Sequence, residues 1–127
     1  RLTSLLIGSG QAATNTAARI GVGNGDGTAA AGDTDLSASS GSSNRWFQVM
    51  DATFPSVSGA VATFKATFAS ADGNFTWNEW CIDIGSPTVT STASVNALML
   101  NHKTSAALGA KSSGTSWVAT ATVSITG

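Results

Sequence analysis

The chain has 127 residues, a net charge of −1, and only 10% charged residues against 42% hydrophobic ones. That length suits one compact domain, which buries about 70% of its unfolded surface. The charge leaves no basic field for nucleic acid and no polybasic face for anionic lipid, and no apolar run approaches the roughly 20 residues of a bilayer-spanning helix, so neither nucleic acid nor membrane is expected as a partner.

Ala (21), Ser (18), Thr (17) and Gly (14) dominate the composition, yet four Trp and five Phe are spread through alternating segments. Disordered chains lack such large apolar groups. At the start, Leu2, Leu5, Leu6 and Ile7 make a helical stripe that stops at Gly8, so residues 1–17 are expected to form a short helix or arm, the end of an element begun upstream. Residues 18–22 read as a short strand. The Gly/Ser/Asp/Ala run 23–44 reads as a long loop, poorly anchored and available for contacts. Residues 45–51 form an apolar strand before a turn at Pro55. Over 60–68, Ala60, Ala62, Phe64, Ala66 and Phe68 share one face, and Thr63, Lys65 and Thr67 the other. After the Asp72-Gly73-Asn74 turn, 75–84 is a strand with aromatics of both parities, so it is either covered on both sides or bulged. A Ser/Thr loop over 85–96 leads to a strand at 97–103. The last strand, 115–126, places Trp117, Ala119, Ala121, Val123 and Ile125 on one face. Together these predict an all-β fold, an antiparallel β-sandwich or jelly roll over 18–127, with Trp46, Phe64, Phe68, Trp80 and Trp117 as core aromatics.

Chemical motifs are sparse. Cys81 is the only cysteine, so no internal disulfide forms, and in a strand it reads as a small buried residue. Asp26, Asp33 and Asp35 in the Gly-rich stretch offer oxygen ligands, but the spacing matches no EF-hand and the bidentate Glu is missing. Gly21, Gly23, Gly25 and Gly27 alternate, but the third glycine of GxGxxG would fall on Asp26 and no P-loop Lys follows. No GxSxG occurs, and His102, the only imidazole, reads as a strand-edge residue. Exposed tryptophans would suit sugar stacking, whereas Trp in alternating strands reads as core. Glu79, between Trp77 and Trp80, is the charge that most needs a partner. Arg19, Arg45 and Lys103 are candidates, and Glu79–Arg45 is the expected structural ion pair. No catalytic residue, metal site or cofactor is expected.

Ala18-Arg19-Ile20-Gly21-Val22-Gly23-Asn24-Gly25, Thr34-Asp35-Leu36, Arg45-Trp46-Phe47 with Met50-Asp51, Phe64-Lys65-Ala66-Thr67-Phe68, Asn74-Phe75-Thr76-Trp77-Asn78-Glu79-Trp80, Met99-Leu100-Asn101-His102-Lys103 and the Trp117 strand follow one another in that order. This succession resembles a group of small virion proteins of tailed bacteriophages, of tail-fibre, head-fibre or capsid-decoration type. It departs from them at Cys81-Ile82-Asp83-Ile84, in the 85–96 loop, and at His102, where similar proteins often carry Arg. The resemblance implies a non-enzymatic structural protein of the virion. A capsid decoration (cement) protein is expected, bound to the major capsid protein and to copies of itself as a homotrimer. A tail-fibre or receptor-binding module is the alternative.

Overall fold

The structure, a computed structural model, describes residues 7–8, 10–85 and 89–126. Nine strands form and no helix is present among the described residues: β1 Ala18–Gly23, β2 Arg45–Val49, β3 Ser56–Ser58, β4 Val61–Phe68, β5 Thr76–Trp77, β6 Glu79–Ile84, β7 Asn101–Lys103, β8 Gly109–Ala110 and β9 Trp117–Ser124. They pair antiparallel into a four-stranded sheet of order β2-β1-β6-β7, a three-stranded sheet β3-β4-β9, and a small ribbon β5-β8. The two larger sheets form a sandwich of four strands on three, one strand short of the paired four-stranded sheets of a jelly roll. The helix expected near the N-terminus falls mostly on residues 1–6, outside the described ones. Residues 7–8 are a turn, and Asn15 anchors the following segment through Nδ2–H bonds to the carbonyls of Asp51 and Phe54, 2.8 Å each.

The sandwich core follows from alternation. On β4, Phe64, Ala66 and Phe68 are buried while Thr63, Lys65 and Thr67 face outward. Opposite them lie Ala18, Ile20 and Val22 of β1 and Ile82 and Ile84 of β6. Burying each large side chain contributes about 1.5–3 kcal/mol. Of the expected core aromatics, Phe64 and Phe68 are buried; Trp46, Trp80 and Trp117 pack against the core but are only half-buried. Trp46 sits on the edge strand β2, Trp117 begins the edge strand β9, and Trp80 borders the gap beside β9. The fully enclosed indole is Trp77, edge-on to Phe68 (4.7 Å) and Trp117 (5.0 Å), with its N–H donated to the Gly73 carbonyl at 2.8 Å.

The expected strand 75–84 is interrupted at Asn78, whose N–H donates to the Gly23 carbonyl and whose carbonyl accepts from Ala106. That break shifts the side-chain alternation by one residue. Phe75 and Trp77 point into the sandwich core together with Trp80, Ile82 and Ile84, whereas Glu79, Cys81 and Asp83 face the other way. Both faces of the four-stranded sheet are therefore covered: the inner one by β4 and β9, the outer one by the 24–44 and 89–100 loops, where Leu36, Phe47, Cys81 and Met99 form a second apolar cluster. The expected strand 97–103 is shorter at its start. Met99 donates instead to the Asp33 carbonyl and joins the loop layer, while Leu100 donates to the Ile82 carbonyl of β6 and packs against the sandwich core.

Candidate functional site: a buried carboxylate and imidazole cluster

Gly23 lies between Arg45 on β2 and Glu79 on β6 in the sheet register. A Cβ there would stand 2.5 Å from Glu79 Oε1, and one at Gly25 would stand 2.3 Å from the Ala38 nitrogen. The alternating glycines thus make room for a strap of backbone, residues 35–39, laid across the sheet. Two opposite charges grip that strap. Glu79 takes its donors: Ser37 N–H (2.9 Å) and hydroxyl (2.8 Å), and Ala38 N–H (2.7 Å). Arg45 takes its acceptors: the carbonyls of Leu36, Ala38 and Ser39, along with the Asp35 carboxylate at 2.7 Å.

The expected Glu79–Arg45 ion pair is not made. Strand β1 separates the two residues, which puts them two strand spacings, about 10 Å, apart. They act on the same strap from its two sides. The partner of Glu79 is His102, on the neighbouring strand β7, whose Nε2 lies 2.8 Å from Glu79 Oε2. Its Nδ1 lies 2.5 Å from Asp33 Oδ2, an oxygen that also accepts the Ala30 N–H. Glu79 is fully buried and the His102 side chain is 4% exposed. His102 lies on the edge strand β7, the strand-edge position expected, but its side chain turns inward and is buried. Its register position opposite Cys81 puts it on the same face as Glu79. The 24–44 segment is likewise firmly pinned, not the poorly anchored loop expected. A second loop is pinned in the same manner by Arg19, whose guanidinium meets Asp83 at 2.7 Å, donates to the carbonyls of Thr90 and Ala93, and stacks 4.8 Å over the Phe47 ring.

Each ring nitrogen of His102 faces a carboxylate, an arrangement satisfied by the doubly protonated imidazolium. Burial opposes that charge, but the bonds to Asp33 and Glu79 outweigh it and hold the His102 pKa above its ordinary value. Burial also pushes Glu79 upward; the bonds from His102, Ser37 and Ala38 more than reverse this and leave its pKa lowered. The Ala30 N–H and then His102 lower that of Asp33. Neither imidazole nitrogen is open to act as a base, and the Ser37 hydroxyl donates to Glu79 and not to the ring, so the cluster contains no paired nucleophile and base. A cavity of about 520 Å³ beside it is walled largely by Ala29, Ala30, Leu98 and Leu100. No group of three metal-ligating side chains occurs among the described residues, and no described helix is long and apolar enough to cross a membrane. What the cluster does chemically is hold the strap to the sheet.

The sign of its pH dependence follows from the shifts. The raised His102 pKa gives stability that is fully present below the unfolded histidine value of about 6.5 and lost as pH rises through the folded value. The lowered Glu79 and Asp33 pKa values give stability present above the ordinary carboxylate value of about 4 and lost as pH falls through the folded values. The melting temperature is therefore expected to peak between about pH 5 and 6.5 and to fall on both sides. His102→Gln is expected to flatten the alkaline limb between about pH 6 and 8: His102 is the only histidine, and the Cys81 thiol, which burial pushes up, adds its own loss of stability only above the unfolded thiol value of about 8.5. A variant that keeps the full alkaline slope in thermal melts from pH 6 to 8 would contradict the assignment.

No protein family, curated protein or solved structure matches the chain.

Proposed function

We propose that the chain is a non-enzymatic structural protein of a tailed-phage particle, a decoration protein that docks on the major capsid protein and cements its joints. The observation that carries this reading is the use to which the buried charges are put. Glu79, His102, Arg45, Arg19 and Asp83 are all engaged in tying loops to the sheet. This leaves a stiff body whose surface is rich in Thr, Ser and Ala and has little net charge, suited to close packing against neighbours. The order of motifs from Ala18 to Trp117 supports the same reading. A tail-fibre or receptor-binding module is the second reading, favoured by the half-buried Trp80 and Trp117 along an open groove. Counting copies per particle by quantitative mass spectrometry of purified virions separates the two. Hundreds of copies support decoration, a handful supports the fibre, and none in the particle defeats both.

A further inference from the structure

We propose that β9 is an assembly edge, through which two copies of the chain pair antiparallel about a two-fold axis at Ala121. Among the described residues, strand β9 hydrogen-bonds to β4 on one side only. The Ile125 N–H donates to the Ala60 carbonyl, which places the odd-numbered residues of β9 in the hydrogen-bonded positions of the β4 ladder. The N–H and C=O groups of Val118, Thr120, Thr122 and Ser124 therefore point away from β4, toward a free edge. Eight residues of unpaired strand without charge, proline or bulge form a template for another strand; monomeric proteins normally blunt such an edge.

A strand added there closes the mouth of a groove between the two layers. The groove, of about 430 Å³, runs along the free edge, between β9 and the inner face of β1 and β6, lined by Ile20, Val22, Trp80, Trp117 and Leu108. Apolar surface is exposed along this edge: Leu108 (49%) and Val118 (55%) line the groove, and Ile125 (59%) follows the far end of the strand.

The occupant that fits is a second β9. With the axis at Ala121, Thr120 faces Thr122 of the other copy, Ala119 faces Val123, and Trp117 faces Ile125. The exposed Ile125 of each copy then covers the half-buried Trp117 of the other. The two alanines meet at the axis in a non-hydrogen-bonded pair, where side chains come closest. About eight interstrand hydrogen bonds form, and no like charges meet. From Ser112 to the end the sequence holds no charged residue. The product is a six-stranded sheet with a four-stranded sheet packed on each half. An isologous contact of this kind closes at two copies, in place of the homotrimer expected from the sequence. It also covers the groove a glycan would use. The inference stands independently of the virion reading, because it is read on the isolated protein.

Sedimentation equilibrium of the chain over about 1–100 µM is expected to show a dimer. Thr122→Pro removes an N–H that faces the free edge and leaves the β4 ladder intact, so it is expected to weaken the dimer by about 100-fold or more with an unchanged far-UV spectrum. Ala121→Cys is expected to form a disulfide-linked dimer under mild oxidation, while Thr63→Cys on the central strand does not. Should Thr122→Pro fail to fold, the cysteine pair decides alone. A monomer or trimer at every concentration, a folded Thr122→Pro that still dimerises, or a folded Ala121→Cys that does not cross-link overturns the proposal.

Discussion

Glu79→Ala is expected to lower the unfolding free energy by about 3–5 kcal/mol, or roughly 10–20 °C in melting temperature. The substitution orphans the N–H groups of Ser37 and Ala38, and it leaves the imidazolium of His102 with Asp33 alone. Removing one member of a buried charged network is more damaging than the net worth of the network, because the remaining groups stay desolvated. Glu79→Gln keeps one acceptor oxygen for the strap but loses the charge and sets its amide NH2 against a backbone N–H, of Ala38 or of Ser37, so its effect is expected to be intermediate, about 2–3 kcal/mol. The measurement is thermal or urea unfolding, combined with hydrogen exchange at Ser37 and Ala38. Those two amides are expected to lose protection in the alanine variant before the β4 amides do. Equal stability of Glu79→Ala and wild type would mean that the strap needs no anchor.

The second large effect lies at the other loop. Arg19→Met retains much of the apolar stem but strips Asp83 of its cationic partner in a fully buried position. The expected loss is about 3–5 kcal/mol, from the uncompensated carboxylate. One oxygen of Asp83, Oδ1, already has no hydrogen-bond partner among the described residues, so the side chain has little to fall back on. The double variant Arg19→Met/Asp83→Asn removes both charges and keeps an acceptor for the Val95 N–H. It is expected to recover most of the lost stability, since a buried pair replaced by neutral groups is often near neutral overall. A double-mutant cycle measures this coupling directly. Additive losses would show that Arg19 acts through its carbonyl contacts alone.

The strands whose patterns are strongest were legible from the sequence. In β4 and β9, strict alternation of Phe or Ala with Thr named the inward faces, buried on β4 and half-buried on β9, because each strand has one face on the core and one outward; Ala60 and Ile125, assigned to those faces, lie beyond the strands and are exposed. The tiny strands β3 and β8 carry no such pattern: Ser56, Val57 and Ser58 are all exposed, and Gly109–Ala110 pairs only with Thr76–Trp77. The mixed parity of 75–84 signalled two covered faces or a bulge; both faces are covered, and the parity changes at an interruption between two strands at Asn78. The cluster was half legible. Glu79 stood out as a charge between tryptophans, but its partner depends on strand order. Arg45 looked suitable by charge, and the sheet places β1 between it and Glu79. His102 could have been found from one signal: a strand carrying the only imidazole, placed beside β6, sets it on the face of Glu79. Asp33 lies in a loop 69 residues away in sequence, and only the fold brings it near.

The register shift at Asn78 also decides what an optical probe can see. Trp46, Trp77, Trp80 and Trp117 all end up on the sandwich side, while His102, Glu79 and the strap occupy the opposite side of the same sheet. Intrinsic fluorescence therefore watches only one half of the molecule. Detachment of the outer layer at high pH would leave the emission spectrum almost unchanged while backbone amides there begin to exchange. Melts followed by indole emission and by loop resonances would then diverge, and a single transition temperature would describe the interior alone.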